Sequence, residues 1–167
     1  VLLIEPRVFG DKRGYFFETY QKDRYRDAGL PVDDFTQDNC SFSTHGILRG
    51  LHYQDPGSQA KLVQCLSGEV FDVAVDLRAG SPTYGKWVGE ILSAENHRQL
   101  WIPEGFAHGF MVTGDHALFN YKVTGAYRPD VEHTLLWNDP AVGIEWPLTD
   151  AIVSPKDAVG HRLGERA

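Results

Sequence analysis

Apolar and polar residues alternate in short runs along this chain, with Gly, Pro, Asp and Ser between the runs. That pattern predicts strands rather than helices. Val1-Leu2-Leu3-Ile4 is a strand candidate ended by Pro6, and Tyr15 to Tyr20 is another, after the turn Gly10-Asp11-Lys12-Arg13-Gly14. The clearest hairpin signal is Lys61 to Leu66, a Ser67-Gly68 link, and then Glu69 to Leu77, where Val70, Val73 and Val75 are interrupted by Asp72 and Asp76. A two-residue Ser-Gly link suits a primed turn. Further strands are expected at residues 85–93, 98–102, 109–112, 117–123 and 132–137, with turns at Ala79-Gly80-Ser81-Pro82 and Pro103-Glu104-Gly105. Only Lys22 to Ala28, polar and stopped by Gly29, reads as a short helix. Many short strands at regular spacing imply an all-β sandwich or barrel, with Trp101, Trp137 and Trp146 in its core. The tail from Gly160 is polar and is expected to fray.

The 167 residues fit a single domain over 1–167. A chain of that length buries roughly 70% of its unfolded surface and needs no disulfide or structural metal. A net charge of −7 argues against nucleic acid as a partner, although a few converging Arg and Lys can still bind a small anion. Cys40 and Cys65 are the only cysteines. They suggest neither a disulfide framework nor a zinc site, and favour a reducing, cytoplasmic setting. No apolar run approaches the roughly 18 residues of a membrane span, and the start carries no secretory pattern. The chain opens on Val1 in strand-like sequence, so part of the first strand is expected to lie upstream.

The run Gly46-Ile47-Leu48-Arg49-Gly50-Leu51-His52-Tyr53-Gln54, followed by Lys61 and later Tyr121, adds chemistry to this frame. A histidine, two cations and a phenol are the groups needed to remove a proton beside a carbonyl, hold the enolate and return a proton. A buried histidine is more often a hydrogen-bonded core residue. Arg49 and Lys61 read equally as surface charges, and Tyr121 as a half-buried strand tyrosine. His52 stands out by its company and has the basicity of a general base near neutral pH. The seven histidines include no His-x-His or His-x-x-x-His pair. His108, in Pro103-Glu104-Gly105-Phe106-Ala107-His108, resembles the second cupin motif. The first motif's histidines are absent from Gly68 to Val73, so no metal is expected and His108 reads as pocket lining. Asp157 is either a solvated loop acid or the carboxylate that fixes one tautomer of His52.

The longer stretches 9–18, Gln37-Asp38-Asn39, 48–54, 68–78, 102–110, Tyr121-Lys122, Trp137-Asn138-Asp139-Pro140 and Ile144-Glu145-Trp146-Pro147 carry a resemblance. From Val1 to about Asp157 the chain resembles the dTDP-4-dehydrorhamnose 3,5-epimerase family, cofactor-free sugar epimerases. The resemblance implies a cupin-type jelly-roll β-sandwich with a few short peripheral helices, a dTDP-linked 4-keto-6-deoxyhexose substrate and a homodimer. It implies that His52 is the base, Asp157 its partner, Tyr121 the acid on the opposite face, and Lys61 the group near the ketone oxygen. It further implies that Arg13, Glu18, Gln37, Asn39, Arg49, His108, Tyr127, Glu132 and Lys156 line the nucleotide-sugar site. Arg13 to Glu18 are implied to reach a neighbouring subunit's site. Related readings are epimerisation at C3 or C5 alone and, ranked lower, a 4-keto to 3-keto isomerase. From another class come a non-catalytic sugar-binding cupin and, last, a metal-dependent oxygenase.

Overall fold

The structure, a computed structural model, describes residues 1–165. Over these residues run β1 (Leu2–Ile4), β2 (Val8–Asp11), β3 (Gly14–Phe17), α1 (Lys22–Asp27), β4 (Phe35–Thr44), β5 (Ile47–Gln54), β6 (Lys61–Asp76), β7 (Trp87–Ser93), β8 (Gln99–Ile102), β9 (Phe106–Thr124), β10 (Glu132–Thr134) and β11 (Ile152–Val153). Single 3-10 turns add Val32–Asp34, Pro129–Val131 and Asp157–Val159.

Two long strands organise the fold. β6 and β9 pair antiparallel from Lys61↔Val123 to Asp76↔Phe106, and each gives one half to each of two layers. One layer holds β4, the late half of β9, the early half of β6, β8 and β1. The other holds β10, β5, the early half of β9, the late half of β6, and β7, with β11 parallel to β5. This is an all-β sandwich of jelly-roll type.

The Ser67-Gly68 hairpin is corrected by this pairing, because residues 61–76 form one strand. Register shifts at Cys65/Ser67 and Gly68/Val70 mark a bulge that bends β6 between layers. Gly68 has φ +79°, and a Cβ there would sit 1.7 Å from the His116 carbonyl oxygen. The strands expected at 109–112 and 117–123 are likewise one strand, bent opposite that bulge. β4 escaped prediction because it is polar on both faces. Gln37, Asn39 and Ser41 line cavities, and Asp38, Cys40 and Phe42 are exposed on the other side. β3 ends at Phe17 rather than Tyr20, and β10 at Thr134 rather than Trp137.

The interior between the layers is built from Val63, Cys65, Val70, Ala74, Leu92, Leu100, Ile102, Phe110, Val112 and Phe119. The tryptophans lie elsewhere. Trp101 packs outside the first layer against Tyr25, Leu30 and Val32, on and just after α1. Trp146 covers the outside of the second layer beside Leu51, Val73 and Leu135, and Trp137 is half-buried, its carbonyl accepting the Trp146 indole N–H at 2.8 Å. The tail is also corrected as far as Glu165. His161 bridges Leu135, Leu163 packs on the outer cluster, and its N–H donates to the buried Asp139 carboxylate at 2.6 Å. Residues 166–167 of that tail lie outside the described residues. Cys40 is exposed and Cys65 buried, both free thiols. No described helix is long and apolar enough to cross a membrane.

Candidate active site

In a regular strand, Arg49 and His52 would face opposite sides, because successive side chains alternate. β5 and β9 shift register here: Arg49 lies opposite Phe110 and His52 opposite His108, so three steps on β5 match two on β9. The extra residue turns both side chains into one cleft. Gly50 sits at the bulge with φ +117°, and a Cβ would lie 2.7 Å from both Gly109 Cα and the His108 carbonyl oxygen. Its N–H donates to Asp157 Oδ2 at 3.3 Å. Gly50→Ala should therefore cost about 2 kcal/mol or more of stability, read as a lower urea midpoint at unchanged m-value.

The cleft, about 480 Å³, is lined by Arg49, His52, Lys61, His108, Tyr121, Lys156 and Asp157 among others. A second chamber of about 280 Å³ shares His52, Lys61 and Tyr121 with it and adds Gln37, Asn39, Tyr127 and Glu132. Together they match the scale of a drug-sized or larger ligand. His52 stands on the second layer, while Lys61 and Tyr121 stand on the first, so the histidine and the phenol come from opposing sheets. Lys61 and Tyr121 are diagonal neighbours across β6 and β9.

Asp157 reaches the site from its 3-10 turn and is 3% exposed. Burial pushes its carboxyl up, but hydrogen bonds from His52, the Gly50 N–H and Ser154 outweigh this and hold it below the usual range. An ionised carboxylate only accepts. His52 Nε2, 2.7 Å from Asp157 Oδ1, therefore carries the proton, and Nδ1 is left as the basic nitrogen. Burial lowers the Lys61 ammonium to about 8, with Asp72 and Glu132 pulling the other way. Burial raises the Tyr121 phenol, against the pull of Arg49, so Tyr121 is protonated at neutral pH. Lys156 pairs with Glu132, whose carboxylate also accepts the Tyr127 hydroxyl at 3.2 Å. The Gln37 amide donates to Asn39 at 2.6 Å.

Sequence reading missed Asp72. It is fully buried, its Oδ2 lies 2.8 Å from His108 Nε2, and its Oδ1 has no hydrogen-bond partner. Burial raises the Asp72 carboxyl and lowers His108. The available signal was an acid at an inward position of the β-branched run 70–75. Arg13 and Glu18 are not brought to the cleft. They sit on or just after the separate β2–β3 hairpin, where Arg13 pairs with Asp11 at 2.5 Å and Glu18 pairs with Arg24. Among the described residues, no three His, Cys, Asp or Glu side chains converge on a metal-binding position.

The two-sheet fold has counterparts among known proteins. A family profile described as dTDP-4-dehydrorhamnose 3,5-epimerase matches residues 1–165. The dTDP-4-dehydrorhamnose 3,5-epimerase of Pseudomonas aeruginosa is 59% identical over 167 residues, covering 99% of this chain and 92% of that protein. The dTDP-6-deoxy-D-glucose-3,5-epimerase of Legionella pneumophila, solved with dTDP-4-keto-L-rhamnose, superposes with a TM-score of 0.92 at 54% identity, over 96% of this chain and 86% of that one. A 3'-monoepimerase from Streptomyces bikiniensis, solved with dTDP-quinovose, gives 0.90 at 33% identity, over 96% and 82%. The expected cupin-type β-sandwich is thus the fold. With the profile spanning all described residues and relatives above half identity along nearly the whole length, the chain belongs to the dTDP-4-dehydrorhamnose 3,5-epimerase family.

Proposed function

We propose that this chain epimerises dTDP-4-dehydro-6-deoxy-D-glucose at C3 and C5 without a cofactor, giving dTDP-4-dehydro-L-rhamnose. The observation that carries the reading is the Asp157-bound His52 on one sheet, set across the cleft from Tyr121 and Lys61 on the other. The C4 ketone acidifies the protons at C3 and C5. His52 Nδ1 takes one of them, and Asp157 stabilises the imidazolium that forms. The Lys61 ammonium holds the enolate oxygen. Tyr121 delivers a proton from the opposite face, which inverts the carbon. His52 then loses its proton to solvent and the tyrosinate regains one, so the pair is reset for the second carbon. Asp72 holds His108 at the floor of the site, and Arg49 and Lys156 bind the diphosphate.

We assign the remaining features by the same reading. The molecule acts as one catalytic domain, in the cytoplasm, consistent with two free thiols. It works as a homodimer in which Arg13 and Glu18 complete the partner's site. Exposed Phe9, Tyr15 and Phe16 on the β2–β3 hairpin give that hairpin a surface to dock with.

Incubation with the 4-keto sugar in D2O tests the reading. Deuterium at both C3 and C5 with inverted product is expected. Deuterium at one carbon would make the chain a mono-epimerase like the Streptomyces relative, and no exchange by folded protein would overturn the reading.

Lys61 adds a pH dependence. Its cation is lost as pH rises through about 8, so kcat should fall about tenfold per unit above that. Stability should move the other way. The unfolded lysine holds its proton up to 10.5, so the unfolded state binds more protons between about 8 and 10.5 and folding gains over that window. A Lys61→Met variant, compared by denaturation across the window, should lack the gain.

A further inference from the structure

The segment carrying Asp157 has little packing of its own. Ser154, Pro155, Lys156, Ala158 and Val159 are all exposed, and Asp157 alone is buried. Upstream it is tied by β11, whose Ile152 and Val153 pair with Ile47 and Leu48. Downstream it is tied at His161. The His161 N–H donates to the Thr134 carbonyl at 3.0 Å, and the Leu136 N–H donates to the His161 carbonyl at 2.8 Å. Between Asp157 and that bridge, Gly160 lies so close to β10 that a Cβ would meet the Thr134 oxygen at 2.8 Å.

The His161 side chain makes a further tie. Its Nδ1 lies 3.0 Å from the Arg162 carbonyl, which only accepts, so Nδ1 carries the proton. Nε2 is then the acceptor, and the Tyr53 hydroxyl donates to it at 2.8 Å. Tyr53 directly follows His52 on β5 and points to the other side of the sheet, where it packs on the cluster of Leu51 and Leu135. Side-chain pairs therefore join the two chain segments on both faces of the sheet, beside the bond from the Gly50 N–H to Asp157. His52–Asp157 bonds on the cleft face, and Tyr53–His161 bonds on the back.

We propose that Tyr53 and His161 are positioning residues, a rear clamp that keeps Asp157 at bonding distance from His52. A 3-10 turn with one buried side chain opens readily unless its ends are held, and a loosened Asp157 would leave His52 free to change tautomer and tilt. The kinetic part of this inference rests on the epimerase reading above.

Tyr53→Phe keeps the ring and its packing and removes only the hydroxyl. It should lower kcat about five- to tenfold, the worth of one hydrogen bond, with KM unchanged within about twofold. In an Asp157→Asn background the same change should shift kcat by less than about twofold, because the clamp acts through Asp157. His161→Ala should behave like Tyr53→Phe, and His161→Gln, whose amide oxygen can accept from Tyr53, should recover. An unchanged kcat in Tyr53→Phe, or an equal loss in both backgrounds, overturns the clamp. NMR of the protein without sugar gives a separate readout. The His52 Nε2–H proton, shifted downfield by Asp157, should exchange with water faster in Tyr53→Phe than in the wild type. Equal exchange overturns the clamp. A wild type inert toward 4-keto sugars would overturn the epimerase reading alone.

Discussion

His52→Ala is expected to lower kcat by about 100- to 10,000-fold, the range for loss of a positioned general base, with KM changed by no more than a few-fold. The groups that would bind sugar and diphosphate, Lys61, Arg49 and Lys156, lie outside the imidazole and stay in place. No neighbour can take over. The other cleft histidine, His108, has its Nε2 engaged by Asp72 at 2.8 Å, and burial lowers its basicity. The truncated side chain leaves a hole beside Asp157, so added imidazole should restore part of the rate by docking in that hole with a ring nitrogen against the carboxyl group. Deuterium uptake from D2O at C3 and C5 should stop together with turnover. Uptake persisting at wild-type rate at either carbon would mean that another group is the base for that carbon. Turnover unchanged by the substitution would leave the cleft as a binding site only.

Much of the fold was legible because alternation survives wherever one strand face is buried. The patterns at 61–66, 69–77, 85–93 and 98–102 read as strand, and β6, β7 and β8 occupy them to within two residues at their ends. The split of β6 has a simple cause: a turn and a bulge use the same residues. Ser67-Gly68 has the composition of a hairpin link, yet its glycine serves a close backbone crossing against His116. Only the pairing of β6 with β9 over their full length distinguishes the two. At the site, His52 and Tyr121 were identifiable by type and company. Their standing on opposing sheets depends on β9 belonging to both layers, which no local pattern encodes. Arg49 and His52 have the wrong spacing for one strand face, and the bulge at Gly50 removes the conflict. Asp72 is hard to read from sequence because an acid inside a β-branched run looks like the solvent phase of the alternation. Its burial becomes intelligible only with His108 beside it. The polarity of the tail misleads, because the His161 bridge to Leu135, one packed leucine and one buried aspartate outside the segment hold it.

Tyr121→Phe should separate the two halves of the reaction. The phenylalanine ring keeps the contact with Phe119, whose centroid lies 6.1 Å away, so the fold should tolerate the change. Proton removal should continue, because His52, Asp157 and Lys61 are untouched. The proton from the opposite face is what disappears. Epimerised product should therefore fall by about 100- to 10,000-fold, while deuterium still enters from D2O by return through His52. It should be found in unreacted sugar of unchanged configuration. Such uncoupling has a physical basis in the cleft: the base and the acid stand on different sheets, and removing the acid leaves only one face of the enolate with a proton donor. Burial raises the Tyr121 phenol, which keeps it protonated and able to donate through the pH range in which Lys61 still carries its charge. NMR of the recovered sugar decides the point. Inverted product at near wild-type rate would assign the second proton to water or another side chain, and loss of deuterium uptake together with epimerisation would place Tyr121 in the removal step instead.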